Sequence, residues 1–185
     1  MTTPLPACEA LLTSMVPTVA MSTGEDLQQF CTGARPRLVG ALSLYVGDAG
    51  VAEELANEAL LRAVDRWGEV QLMANPHGWA HTVAFNLARS RLRRMAAERR
   101  AYARLAARRR APAAPDVGDV LAIRAALGHL PNRQRQAIVC RYYLDMSAAE
   151  IATAMNCSAA TVKVHLRSAL VTLREQGLGL EGEEL

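Results

Sequence analysis

Residues 158–168 carry the side chains whose types and spacing point most directly to chemistry. At helical spacing Ala160, Thr161, Val164, Arg167 and Ser168 share one face, with Lys163 at its edge and Ser158 at the helix start as a further candidate contact. Small residues allow close approach, hydroxyls hydrogen-bond, and Arg and Lys reach phosphates or base edges, so this face suits a DNA major groove. Two helices must position it. Ser147-Ala148-Ala149-Glu150 has the form of a capping box, in which the Ser hydroxyl accepts the backbone N–H at Glu150 and the carboxylate reaches back. Ile151, Ala154 and Met155 then recur at three-to-four spacing until Asn156-Cys157 interrupts, Asn being tolerant of left-handed backbone. Ser158 supplies a second N-cap, and Val162, Leu166, Ala169, Leu170 and Leu173 form the stripe that must be buried behind the outward face. The stretch Asp145–Arg174 therefore reads as a helix-turn-helix.

Two further sets of polar residues stand out upstream. Glu54, Glu58 and Asp65, with Arg62 between them, fall along one charged stripe of a helix. Between Arg89 and Arg110 lie ten Arg and one acid, Glu98, a local charge of +9 (10 minus 1) that favours a polyanion or acidic surface nearby. No nucleophile-and-base set or phosphate-binding Gly loop appears, so the chain is not expected to be an enzyme and no cofactor is expected.

Composition narrows the class. The 185 residues are 51% apolar, which excludes a mainly disordered chain, and the low Gly and Phe counts favour helices. Of 21 basic residues 20 are Arg, suited to bidentate phosphate contacts, although high genomic GC content produces the same bias. Cysteines 8, 31, 140 and 157 form no CxxC pair, which points to reduced thiols, and His77 and His81 find no partner for a metal site. No apolar run reaches membrane length and the first 30 residues hold no Lys or Arg, so a cytoplasmic location without membrane contact is expected.

The periodicity predicts an all-α chain of two small helical domains joined by a flexible linker, the second a helix-turn-helix domain. Residues 1–22 read as a loosely ordered extension and 23–100 as a first domain. Its first helix carries Leu27, Phe30, Ala34, Leu38, Leu42 and Tyr45 on one face, and Pro36 threatens a kink there. Asp48 caps a second helix ending near Trp67, a loop spans Gly68–Gly78, and a third helix runs past Arg94. Trp67 and Trp79 are expected in the core rather than stacked on bases. Residues 101–118, with Pro112 and Pro115, read as the linker. The second domain covers 119–176, with Pro131 opening a helix Asn132–Tyr143, and 177–185 form a short acidic tail.

The element Thr161-Val162-Lys163 resembles the recognition helices of both region 4 of sigma-70-type initiation factors and LuxR-type regulators. The rest of the chain resembles the extracytoplasmic-function (ECF) sigma factors, of an actinobacterial SigE-like type. Ala52–Leu60 is similar to that family's acidic segment, with Asn57 in place of the usual Gln and Leu60 in place of Phe. Asn75–Trp79 through Ala84–Arg94 is similar to the helix that captures the melted minus-ten strand, departing at Ser90 where Asp is frequent. Leu130–Arg135 resembles the opening of region 4 and is absent from the LuxR pattern. The resemblance implies that Glu54, Asn57, Glu58, Arg62 and Asp65 dock on the clamp of core RNA polymerase. It also implies that Asn86, Arg89 and Arg93 hold the single minus-ten strand, and that the 158–168 face reads the minus-35 duplex of promoter DNA. Region 4 would further meet the polymerase flap, and an anti-sigma factor would be a partner. The alternative is a LuxR-type helix-turn-helix regulator that is not a polymerase subunit.

Overall fold

The structure, a computed structural model, describes residues 22–105 and 118–177, and every described element is helical. The predicted N-terminal extension, most of the predicted linker and nearly all of the acidic tail lie outside the described residues.

The first half holds α1 (Ser22–Val46), α2 (Ala49–Asp65), α3 (Trp67–Val70) and α4 (Pro76–Leu105). Helix α1 continues through Pro36 to Val46, as its apolar face requires. Pro36 and Thr32, whose carbonyl loses its helical donor, are both exposed, so water can replace the missing bond. Gly47 turns the chain at φ 83°, and the Asp48 carboxylate accepts the Val51 N–H at 2.9 Å to start α2. Packing is built on small residues. Ala34 and Ala41 of α1, Ala52, Ala56, Ala59 and Ala63 of α2, and Ala80, Ala84 and Ala88 of α4 are all buried, which lets three helices approach closely. Larger groups fill the ends: Tyr45 meets Phe85 edge-on at 5.2 Å, and Phe30 lies between Trp67 and His77 at 5.0 and 4.9 Å. The loop expected over Gly68–Gly78 is shorter than predicted, because Trp67 and Val70 are buried and wind the chain into α3.

The second half holds α5 (Gly118–His129), α6 (Asn132–Ile138), α7 (Ala148–Met155) and α8 (Ala159–Glu175). The helix predicted over Asn132–Tyr143 is α only to Ile138 and continues as a π-helical turn through Val139–Tyr143. The wider turn leaves Tyr142 and Tyr143 about half exposed while Val139 and Cys140 stay in the core. Ile151, Met155, Val162, Leu166 and Leu173 close that core.

The halves touch. Helix α4 packs on α7, and α1 packs on the π turn, α5 and α6. Arg37 Nη2 donates to the Leu144 carbonyl at 3.4 Å, Arg135 Nη1 to the Tyr45 carbonyl at 2.9 Å, and Asn75 Nδ2 to Glu150 Oε1 at 2.7 Å.

The capping box at Ser147 is formed in full: the hydroxyl accepts the Glu150 N–H at 3.3 Å, and Glu150 Oε2 accepts the Ser147 N–H at 2.9 Å. The Ser147 N–H, then its hydroxyl, and to a lesser extent the Asn75 amide hold the Glu150 carboxyl below the usual carboxylate range, against the opposing effect of burial. A depressed carboxylate pKa contributes stability that is complete above the unfolded-state value and is lost as pH falls through the folded-state value. Ser147→Ala should therefore cost about 1 kcal/mol at pH 7. The difference from wild type should shrink in urea titrations repeated below the ordinary carboxylate pKa of 4.5. A penalty that is independent of pH would assign the Ser147 effect to the neutral cap alone.

Candidate nucleic-acid interface

The turn before α8 is set by Asn156, which sits in left-handed backbone at φ 50°, and by Ser158, whose hydroxyl accepts the Thr161 N–H at 3.1 Å. These two residues fix the start and direction of α8. Val162, Leu166, Ala169, Leu170 and Leu173 turn inward, as their spacing requires, so the opposite face is solvent-facing. Ser158, Ala160, Lys163, Val164 and Arg167 are exposed on it. Thr161 and Ser168 are half-buried, and the Thr161 hydroxyl lies 2.8 Å from Ser158 Oγ, so both hydroxyls serve the helix start in this conformation. Val164 is 63% exposed, the one large aliphatic group on a face otherwise made of small and polar residues. Such a group matches the thymine methyl in a major groove.

The second set of residues lies on α2 and α4. Asn86 and Arg93 are exposed and Arg89 is half-buried. The Arg89 guanidinium donates to Asn86 Oδ1, and Arg93 Nη2 donates to Ser90 Oγ at 3.3 Å. The Asn and Arg side chains are thereby aligned along one edge of α4. Across from them, Arg62 pairs with Glu58 at 2.7 Å, an exposed pair that contributes only a few tenths of a kcal/mol. A groove of about 720 Å³ between the two helices has Glu58 and Arg62 on one wall and Asn86, Arg93 and Arg94 on the other. Sequence spacing put these residues into separate groups, and the fold sets them face to face.

Glu54 and Asp65 are exposed on α2, and Asn57 Oδ1 accepts a bond from Arg35 Nε at 3.3 Å. Leu61, 63% exposed, and Val64 lie beside this stripe and add an apolar component that charge spacing did not reveal. Their signal was two aliphatic residues three apart outside the buried register of α2.

Other candidates resolve as scaffold. Trp67 is buried, while Trp79 is only half-buried, with the Arg66 guanidinium 6.0 Å from its ring. His81 is buried, and burial with nearby Arg37 lowers its pKa to about 4; His77 is lowered for the same reasons. Both rings are therefore neutral at pH 7. Among the described residues no group of His, Cys, Asp and Glu could hold a metal ion, and no helix is long and apolar enough to cross a membrane. Burial pushes the Cys140 thiol up to about 12 and raises that of Cys31, which disfavours thiolate chemistry at both.

Comparison with known proteins agrees with this division. Residues 32–100 match the family described as Sigma-70 region 2, and residues 121–173 match Sigma-70, region 4. No curated protein matches the chain. Among solved structures the fold is similar to a chain of the co-crystal structure of the sigma factor RpoE in complex with the anti-sigma factor NepR from Bartonella quintana. The identity is 22% and the TM-score 0.71, over 85% of this chain and 99% of that one. A region-2 match across the first half removes the LuxR-type alternative, which accounts for the helix-turn-helix alone. With both regions present, each on its own half of the fold, the chain belongs to the sigma-70 family of transcription initiation factors.

Proposed function

We propose that the protein is an ECF-type sigma factor that grips a promoter at two points while bound to core RNA polymerase. Directing polymerase to promoters follows from family membership; the assignment of individual surfaces is our reading. The observation that carries it is the outward face of α8, where Lys163, Val164 and Arg167 stand exposed directly behind a capped helix start. In this reading the 158–168 face reads the minus-35 duplex, and polymerase carries out all covalent chemistry.

Asn86, Arg89 and Arg93 hold the melted minus-ten strand. Holding an open strand requires base-edge contacts from an amide and charge neutralisation by arginines, and α4 offers both along one edge. Glu54, Asn57, Glu58, Arg62 and Asp65 dock on the polymerase clamp, with Leu61 and Val64 as the apolar part of the contact. Region 4 also approaches the polymerase flap. Linking both domains to polymerase raises the effective concentration of each at its own promoter element. The likeness to an anti-sigma-bound factor supports an anti-sigma protein as a further partner, and the Arg-for-Lys bias fits the actinobacterial SigE-like type. The site of action is the cytoplasm, where polymerase and promoters are found.

Arg167→Ala and Lys163→Ala should each lower promoter-specific run-off transcription by about tenfold or more, with binding to core polymerase unchanged. Full transcription from a mapped promoter in both variants would remove α8 from the minus-35 element. Glu54→Arg with Glu58→Arg should weaken core-polymerase binding at least about tenfold, because opposite charge would replace a complementary one. A pull-down with normal complex formation would overturn the clamp assignment.

A further inference from the structure

The last turn of α8 aims the chain that follows it. Gly177 sits in left-handed backbone at φ 80°, and its N–H donates to the Arg174 carbonyl at 3.0 Å. Both features belong to the glycine-terminated helix cap in which the residue after the glycine packs back on the residue four before it. Here that pair is Leu178 and the buried Leu173, both aliphatic. The sequence continues Leu178-Gly179-Leu180-Glu181-Gly182-Glu183-Glu184-Leu185. Its first two leucines are two apart and share a face when extended, and three acids follow them.

The cap opens into a groove of about 500 Å³, with Gln176 and Gly177 on one side and Ala122, Ala125, Ala126 and His129 of α5 on the other. The α5 wall is mostly methyl groups, and next to them Ile123 is 43% exposed. Such a wall gains from covering by aliphatic side chains and offers little to a polar one. Arg124 and Arg174 are exposed within one helical turn of the lining residues, where they complement acids that follow the leucines.

We propose that this groove is the docking site of the chain's own segment 178–185, and that docking holds its acids away from the DNA-reading face of α8. Leu178 and Leu180 seat against Ala122, Ala125 and Ala126, and Glu181, Glu183 and Glu184 stay on the α5 side. At 1.5 Å per residue, Arg167 and Lys163 lie about 15 and 21 Å along α8 from Gly177. An undocked segment reaches about 24 Å by Glu184, so its carboxylates could cover both cations and compete with DNA phosphates. Docked, they remain more than one Debye length, about 8 Å at physiological salt, from either cation. The docking is a property of the chain itself, whereas its effect on DNA rests on the assignment of α8 as the promoter-reading helix.

Ala125 is exposed, so Ala125→Glu blocks and repels at the groove without touching the core; Leu180→Ser removes the anchor from the other side. In the full chain, each should speed loss of the acidic end to a glutamate-specific protease, read by intact mass, at least about tenfold over wild type. Equal rates in all three proteins would overturn the docking. So would protection in wild type that rises with protein concentration, which would assign the groove to a second copy. Ala125→Glu should also weaken full-chain binding to a promoter duplex about threefold at low salt, and changing Glu181, Glu183 and Glu184 to Gln in the same chain should restore it. Faster cleavage with unchanged DNA binding would overturn the shielding role. If wild type and every variant fail to bind the duplex, the assignment of α8 fails, while the cleavage rates still judge the docking.

Discussion

Glu150 divides its two carboxylate oxygens between two tasks. Oε2 accepts the Ser147 N–H and hydroxyl and so fixes the first turn of α7; Oε1 accepts the Asn75 amide from the other half of the molecule. Asn75 is divided in the same way, because its Oδ1 accepts the Gly78 N–H and starts α4 while its Nδ2 reaches Glu150. One hydrogen bond therefore joins the cap of α7, which packs behind the helix proposed to read the promoter duplex, to the cap of α4, the helix proposed to hold the melted strand. Everything downstream of these caps takes its direction from them: α7 sets the turn at Asn156, and that turn sets α8.

Much of this was legible in the sequence because the signals are local. Ser147, Glu150, Asn156 and Ser158 act within three residues of their partners, and the apolar stripe of α8 follows from the 3.6-residue period. The buried face of α1 was equally clear, from Phe30 to Tyr45 across Pro36, and exposure of Pro36 to water explains why the helix can continue through it. Misreadings arose where tertiary packing overrides local preference. Gly68 and the Asn75-Pro76 turn signal suggest a loop, but burial of Trp67 and Val70 winds a helical turn there. The π turn at Val139–Tyr143 has no period of its own in so short a stretch.

The site residues divide along the same line. The outward face of α8 was readable because helix periodicity alone decides it. The groove between α2 and α4 was not, because Glu58 and Asn86 are far apart in the chain and only the packing of two helices brings them to facing walls. The contacts of Arg37, Arg135 and Asn75 between the halves have no sequence signature at all, since each depends on where a second half comes to rest.

The alanine-lined contacts among α1, α2 and α4 have a consequence for how such a protein can change over time. Positions such as Ala34, Ala56, Ala59 and Ala84 are fully buried, so a larger side chain there would strain the packing of its neighbours at a cost of about 1–3 kcal/mol, and only glycine is smaller. Substitution is thereby confined to the outer faces, the same faces that carry the charged stripe, the arginine edge and the exposed aliphatic residues. A lineage can then acquire new promoters or partners by altering those surfaces, on a scaffold whose interior leaves almost no room to drift.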